Sequence, residues 1–269
     1  MKNKLLTGLS LFLSAVIIVL SLRFGVAPYE SPALADATQS QSERLTSLPV
    51  ESTQKEKTGE ESTTAAKKEE PTTRVKIDKS IRKLNKKQRT AKFKGIIISG
   101  DSIVNSMLEY KIIGKSRVVA GVGAGTLFLR DSTEKIVKAN PKYLILHYGE
   151  NELDKKDNAV NFIKRYTSCI KALKKALPKT EIYVDSIFPV DEAAYGNEDE
   201  PYLKNIPYYN KLLKQMAKDT GVHYIDYTPI WNGYKKNYYD EDGIHPLASY
   251  YKEQYLPFIY ELVHNSNKK

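Results

Sequence analysis

From Gly95 onward, short apolar runs alternate with helical stretches, and this alternation constrains the fold more than any other feature. The runs are Gly95–Ser99 (GIIIS), Arg117–Ala120, Tyr143–Tyr148 (YLILHY), Glu181–Ile187 (EIYVDSI) and Val222–Ile225. Continuous apolar runs of this length predict strands covered on both faces, as in a parallel sheet. Between them, Phe162, Tyr166, Cys169, Ile170, Leu173 and Leu177 share one face of a helix expected over Asn158–Leu177. Further helices are expected from about Tyr202 to Thr220, and from Pro246, a good first helical residue, to about His264. Strand–helix alternation with short connections predicts an α/β domain with a mostly parallel, doubly wound sheet over residues 95–269.

Charge divides the rest of the chain. The net charge is +10, yet residues 74–94 alone carry ten basic and one acidic side chain, net +9. The folded part is close to neutral, so global basicity gives no support to nucleic-acid binding. One cysteine, Cys169, excludes an intramolecular disulfide framework and a cysteine-rich zinc site. Its place on an apolar helix face assigns it to the core.

Leu5 to Leu22 carries no charge, follows Lys2 and Lys4, and would span about 27 Å as a helix, close to a bilayer's hydrocarbon core. Residues 1–29 are therefore expected to be a cytoplasmic tip and signal-anchor helix, with the remainder outside the cell membrane. Cleavage after Ala33-Leu34-Ala35 is the alternative. Residues 30–73, poor in large apolar side chains, are expected to be a disordered linker. In the basic segment 74–94, Ile77, Ile81 and Leu84 make one apolar helical stripe. The expectation is a solvated helix or leader packed loosely on the domain, with contact to anionic lipid or wall polymer as the sharper reading.

Parallel sheets bind ligands beyond the carboxyl ends of their strands. There this sequence places Gly100-Asp101-Ser102, Gly121–Thr126 (GVGAGT), Gly149-Glu150-Asn151-Glu152 and, before the last helix, Asp242-Gly243-Ile244-His245-Pro246. A serine hydroxyl becomes a nucleophile when an imidazole takes its proton and a carboxylate holds the imidazole in one tautomer. The oxyanion that follows needs preorganised donors. These blocks supply Ser102, His245 and Asp242 for the first task. The Ser102 N–H, a glycine N–H and the Asn151 amide serve the second. Taken singly, Asp101-Ser102 could cap a helix, Asp242-Gly243 could form a turn, and GVGAGT could bind phosphate, though without the P-loop lysine.

The ordered set GDS, Gly, G-x-N-[D/E] and D-x-x-H-P resembles the SGNH/GDSL hydrolase superfamily over roughly residues 95–264. The resemblance implies a flavodoxin-like three-layer α/β/α sandwich with five strands in the order 2-1-3-4-5. It implies Ser102, a loop glycine, Asn151 and His245 as the name-giving residues, with Asp242 completing a triad, and neither metal nor organic cofactor. Glu152 stands where the family has aspartate, and Ile103 where leucine often follows GDS. Gly121, Gly123 and Gly125 could each be the donor; Gly123 is preferred. His147 is expected to be structural or to lie behind the site, and His223 and His264 have no assigned role. Tyr195, Tyr202, Tyr208, Tyr209, Tyr234, Tyr238 and Tyr239 are expected around the site. Mostly this is packing, with a small push toward sugar-linked esters.

The leading expectation is an exported, membrane-tethered monomeric serine esterase removing short O-acyl groups, acetyl above all, from cell-envelope glycans. An O-acyltransferase with the same triad is the alternative, and a non-catalytic surface binding module the second.

Overall fold

The computed structural model describes residues 78–228 and 237–265. The expected signal-anchor and linker lie outside the described residues. Among the described residues no helix is long and apolar enough to cross a membrane.

Five strands form one parallel sheet: β1 (Ile96–Gly100), β2 (Val118–Ala120), β3 (Tyr143–His147), β4 (Glu181–Asp185) and β5 (His223–Ile225). Their order is β2-β1-β3-β4-β5, with all pairs parallel. Each expected strand is present, within two residues at either end. The helices are α1 (Lys86–Lys92), α2 (Ser102–Glu109), α3 (Thr126–Ala139), α4 (Ala159–Ala176) and α5 (Ile206–Thr220). The C-terminal helix comes in three pieces: α6 (Ala248–Tyr250), a π-turn (Tyr251–Tyr255) and α7 (Leu256–Asn265).

Successive strand side chains point to opposite faces, and both faces are covered, which is why β1 and β3 are buried at every position. On one face Ile96, Ile98, Tyr143, Ile145, Tyr183 and Ile225 join a cluster with Ile103, Met107, Tyr255 and Ile259. On the other, α3 packs on α4 and α4 on α5. Tyr166 of α4 donates from its hydroxyl to the Leu146 carbonyl across 3.2 Å. Cys169 is buried as expected, and burial pushes its thiol up to about 11, an inert core group.

Two expectations need correction. The basic segment is not a loose leader. Residues Lys79–Lys83 form a 3-10 turn that ends at Leu84, and α1 starts separately behind Asn85, whose side chain forms a capping box with Gln88. The stripe through Ile81 and Leu84 is thus broken, because Leu84 is extended. Ile81 and Phe93 are fully buried in the main cluster. Arg89 is buried as well, its Nε donating to the Ile112 carbonyl at 2.7 Å and its Nη1 to that of Leu84. The second correction concerns Pro246. It does not start the helix but pairs in an antiparallel bridge with Tyr239, and helix begins two residues later at Ala248.

Candidate active site

Strand register brings the expected blocks to one level. Gly100 pairs with both Ala120 and His147, so β1, β2 and β3 end side by side. Chain order reverses between β1 and β3, and a crevice opens at such a switch point. Gly100 is required there: a Cβ would lie 2.6 Å from the His147 carbonyl oxygen and 2.4 Å from Val104 Cγ2. Asp101 then caps α2, its Oδ1 accepting from the Ile103 N–H at 3.0 Å, and Ser102 is the first helical residue. Tyr251 pins the start of α2 from the C-terminal helix, donating to the Ile103 carbonyl at 2.7 Å.

The Asp242–His245 segment is a closed hairpin. The Asp240 N–H donates to the His245 carbonyl (2.8 Å), and the Leu247 N–H to that of Tyr238 (2.6 Å). Gly243 takes φ +69° against Asp191 and Ala194, which a side chain would crowd. Asp242 Oδ1 accepts from the Ile244 and His245 N–H groups at 2.8 and 2.9 Å. Its Oδ2 lies 2.6 Å from His245 Nδ1, and His245 Nε2 lies 3.0 Å from Ser102 Oγ. Partial burial works to raise the Asp242 pKa. The backbone donors of His245 and Ile244 and the imidazole outweigh it and hold the carboxyl below the usual aspartate range. A serine, an imidazole and a carboxylate thus stand in one hydrogen-bonded line.

The donor candidates are sorted by their partners. The Gly121 N–H bonds the Gly100 carbonyl at 3.3 Å, so it is already used. Gly123 is exposed at φ +68° with open space beside it. Asn151 Nδ2 donates to the Ala124 carbonyl at 3.3 Å, which ties the amide to the glycine loop and leaves it a second N–H. Glu152 accepts from the Thr126 N–H (2.9 Å), the Thr126 hydroxyl (2.6 Å) and Arg165 Nη2 (3.0 Å). Gly125 packs against it; a Cβ there would stand 2.9 Å from Glu152 Cδ. The departure from the family motif therefore fastens the two donor loops together.

Sequence reasoning missed a buried cluster beside this line. Asp101, His147 and Asp185 are buried, and His147 Nδ1 lies 3.3 Å from Asp185 Oδ2. One ligand atom each from Asp101, His147 and Glu150 lies within 4.8 Å of the others, so this set could hold a metal ion. Asp101 Oδ2 and both Glu150 carboxyl oxygens are buried without a hydrogen-bond partner. Burial raises Asp101 and Asp185, and pushes Glu150 up to about 8, with the Asp101 charge adding to it. Burial works to lower His147, but the Asp185 hydrogen bond and the carboxyl charges around it raise the imidazole overall. The imidazole thus sits among carboxyl groups that are themselves shifted toward their protonated forms.

Of the tyrosines expected around the site, Tyr209, Tyr238 and Tyr239 are buried and Tyr195 is exposed; Tyr234 lies outside the described residues. A cleft of about 550 Å³ borders Asp242, lined in part by Asp191, Asn197, Asn237, Tyr239, Asp240 and Glu241.

Residues 100–252 match the model of the GDSL-like lipase/acylhydrolase family. No curated protein matches the chain. Among solved structures, a GDSL-like lipase from Bacteroides thetaiotaomicron is 17% identical, covering 65% of this chain and 90% of its own, with a TM-score of 0.51. An acylhydrolase described from Bacteroides fragilis is 18% identical over 64% of this chain and 86% of its own, with a TM-score of 0.49. The first likeness supports the fold alone.

Proposed function

The chain belongs to the GDSL-like lipase/acylhydrolase family and is an ester hydrolase, and from that premise we propose that Ser102, His245 and Asp242 carry out its chemistry on short O-acyl esters of a polar, carbohydrate-like alcohol. The line from Ser102 Oγ through His245 to Asp242, at 3.0 and 2.6 Å, carries this reading. Ser102 Oγ attacks the acyl carbonyl while His245 Nε2 takes its proton. Asp242 holds the Nδ1–H tautomer and stabilises the imidazolium. The oxyanion is met by the N–H groups of Ser102 and Gly123 and by the free N–H of Asn151. His245 returns the proton to the departing alcohol, then activates the water that hydrolyses the acyl-enzyme.

The cleft beside Asp242 supports the substrate class. Carboxylates, amides and Tyr239 surround it, which suits a hydroxyl-rich alcohol and disfavours a phosphate-bearing one. Val122 and Leu127, exposed at the donor loop, offer a small apolar contact for an acyl group. The location is read from the sequence: export, anchoring through residues 1–29, and a linker reaching toward the envelope. Lys79, Lys83, Lys86 and Lys87 remain exposed, which supports contact with an anionic surface. The test is turnover of p-nitrophenyl acetate with and without a glycan acceptor. Hydrolysis alone supports the esterase, acceptor-dependent product points to the transferase, and no turnover leaves a binding module.

A further inference from the structure

Asp101, His147, Glu150 and Asp185 bring three carboxyl groups and one imidazole together where β1, β3 and β4 end. One ligand atom each from Asp101, His147 and Glu150 lies within 4.8 Å of the others. We infer that these three residues bind one zinc-like divalent cation, with Asp185 orienting the imidazole from behind. This departs from the metal-free expectation drawn from the family resemblance, and it does not rest on the triad.

The cluster holds acceptors that nothing in the chain satisfies. Asp101 is fully buried; its Oδ1 accepts from the Ile103 N–H, and its Oδ2 has no hydrogen-bond partner. Both Glu150 carboxyl oxygens are buried and equally unpartnered. Such oxygens are costly to bury, and a bound cation satisfies them directly. The histidine is set up as a ligand. His147 is buried, and its Nδ1 lies 3.3 Å from Asp185 Oδ2, which also accepts from the Tyr255 hydroxyl at 3.2 Å. A proton on Nδ1, donated to Asp185, leaves the Nε2 lone pair for a metal; ligating histidines are commonly held by a carboxylate in this way. Phe188 packs edge-on against the ring at 4.5 Å and fixes its plane.

Charge points the same way. The charges that bear most on Glu150 are those of Asp101, His147, Glu200 and Asp242, and only His147 is basic. Three ionised carboxyls and a protonated imidazole leave two net negative charges in a buried space. A neutral imidazole with a divalent cation leaves one. One nitrogen and two carboxylate oxygens make a three-ligand set that suits a zinc-like ion, with a water in the fourth position. Magnesium prefers an all-oxygen octahedral shell and keeps several waters, a poor match to an imidazole in a buried cluster. Ligand atoms around tetrahedral zinc stand about 3.4 Å apart, so the cluster must tighten from its present spread. Glu150 has the longest of the ligand side chains and no hydrogen bond to break in moving inward. The ion would then join the Asp101 turn before Ser102 to the turn that carries Asn151.

The full-length chain, stripped with a chelator and dialysed, should take up one Zn²⁺ per chain at micromolar free metal, measured by equilibrium dialysis. Its Tm should rise by about 5 °C or more at a hundredfold excess over the dissociation constant. Glu150→Gln keeps the shape of the side chain and should weaken Zn²⁺ binding at least tenfold. At pH 7 the metal-free variant should melt no lower than metal-free wild type. His245→Gln should bind Zn²⁺ as wild type does. Wild type that takes up no Zn²⁺ at micromolar metal overturns the proposal, and this result needs no variant to fold. So does uptake undiminished in Glu150→Gln. Uptake lost in His245→Gln but kept in Glu150→Gln would place the ion on the exposed Asp242–His245 pair and overturn it too. Equal Tm gains from Zn²⁺ and Mg²⁺ would overturn the choice of ion. None of these readouts needs turnover, so failure of the esterase reading would leave them intact.

Discussion

Glu152 holds Thr126 by two hydrogen bonds at once, one from the backbone N–H and one from the hydroxyl. This caps α3 and joins the Gly121–Gly125 loop to the turn carrying Asn151. Glu152→Ala should cost about 1–3 kcal/mol, because it strips a charged acceptor from partly buried donors. It should also lower kcat more than KM, since the donors it positions act in the transition state. Gly125→Ala should do the same by pushing Glu152 away. Thermal unfolding and steady-state kinetics check both, and a variant with unchanged kcat would detach this clamp from the chemistry.

Ser102→Ala should reduce ester hydrolysis to near background while preserving the Tm, since Ser102 is half-buried at a helix start and its hydroxyl's partner is His245. A serine-reactive phosphonate should label wild type at Ser102, as peptide mapping would show. Labelling at another serine would contradict the assignment.

Asp242→Asn should keep the hairpin's shape but present the wrong tautomer of His245, with a loss of about 10²-fold or more in kcat. Burial opposes ionisation of Asp242, and its three donors overcome it, so the folded-state pKa is depressed. A depressed acid adds stability above its unfolded value, near 3.9, and loses it as pH falls through the lower folded value. Asp242 therefore stays ionised throughout a neutral assay, and the asparagine variant should be impaired at every pH from 6 to 8; near-full activity at any of them would break the Asp242–His245 pairing.

The strands and the site's backbone were legible because most apolar runs stop at a glycine or polar residue, as Ile96–Ile98 gives way to Ser99-Gly100-Asp101-Ser102, whereas the run through Ile187 continues into Phe188 and was read two residues past the end of β4. The buried cluster was not. His147 lies inside a run that reads as plain strand, and its partners come from the cap of α2, from β4 and from the turn after β3, with no local spacing to connect them. The role of Arg89 was hidden by its basic neighbours, although Asn85 and Gln88 carry a helix-start signal that separates α1 from the preceding turn. Pro246 suits a first helical turn equally well in sequence. Its bridge to Tyr239 is a tertiary choice that closes the His245 hairpin.

Stability should decline as pH rises from about 5 to 8. Glu150 is an acid whose folded pKa, about 8, lies above its unfolded value near 4.3, so the folded state binds the extra proton in that window. Stability linked to it is full below the unfolded value and lost on approaching 8. Asp101, Asp185 and His147, all raised, act in the same direction. Glu150→Gln should flatten the slope, gaining on the order of a few kcal/mol at pH 8–9 relative to wild type. Denaturant melts across this range measure it; equal slopes in both proteins would remove Glu150 as the cause.

Truncation separates the basic segment's two roles. A chain starting at residue 78 keeps Ile81, Phe93 and Arg89, whereas one starting at residue 95 loses all three. Ile81 and Phe93 are fully buried, and each such side chain contributes about 1.5–3 kcal/mol. Arg89 additionally satisfies the Ile112 and Leu84 carbonyls, and Thr90 accepts from the Gly114 N–H. Against a total stability of about 5–15 kcal/mol, that loss should leave the shorter chain unfolded or sharply lowered in Tm. Binding to anionic vesicles should therefore be compared by charge reversal at exposed Lys79, Lys83, Lys86 and Lys87, which leaves the core intact. The reversed chain should release at lower salt than wild type with the same Tm. If the chain starting at residue 95 melts like the one starting at 78, Ile81 and Phe93 are not part of the working core.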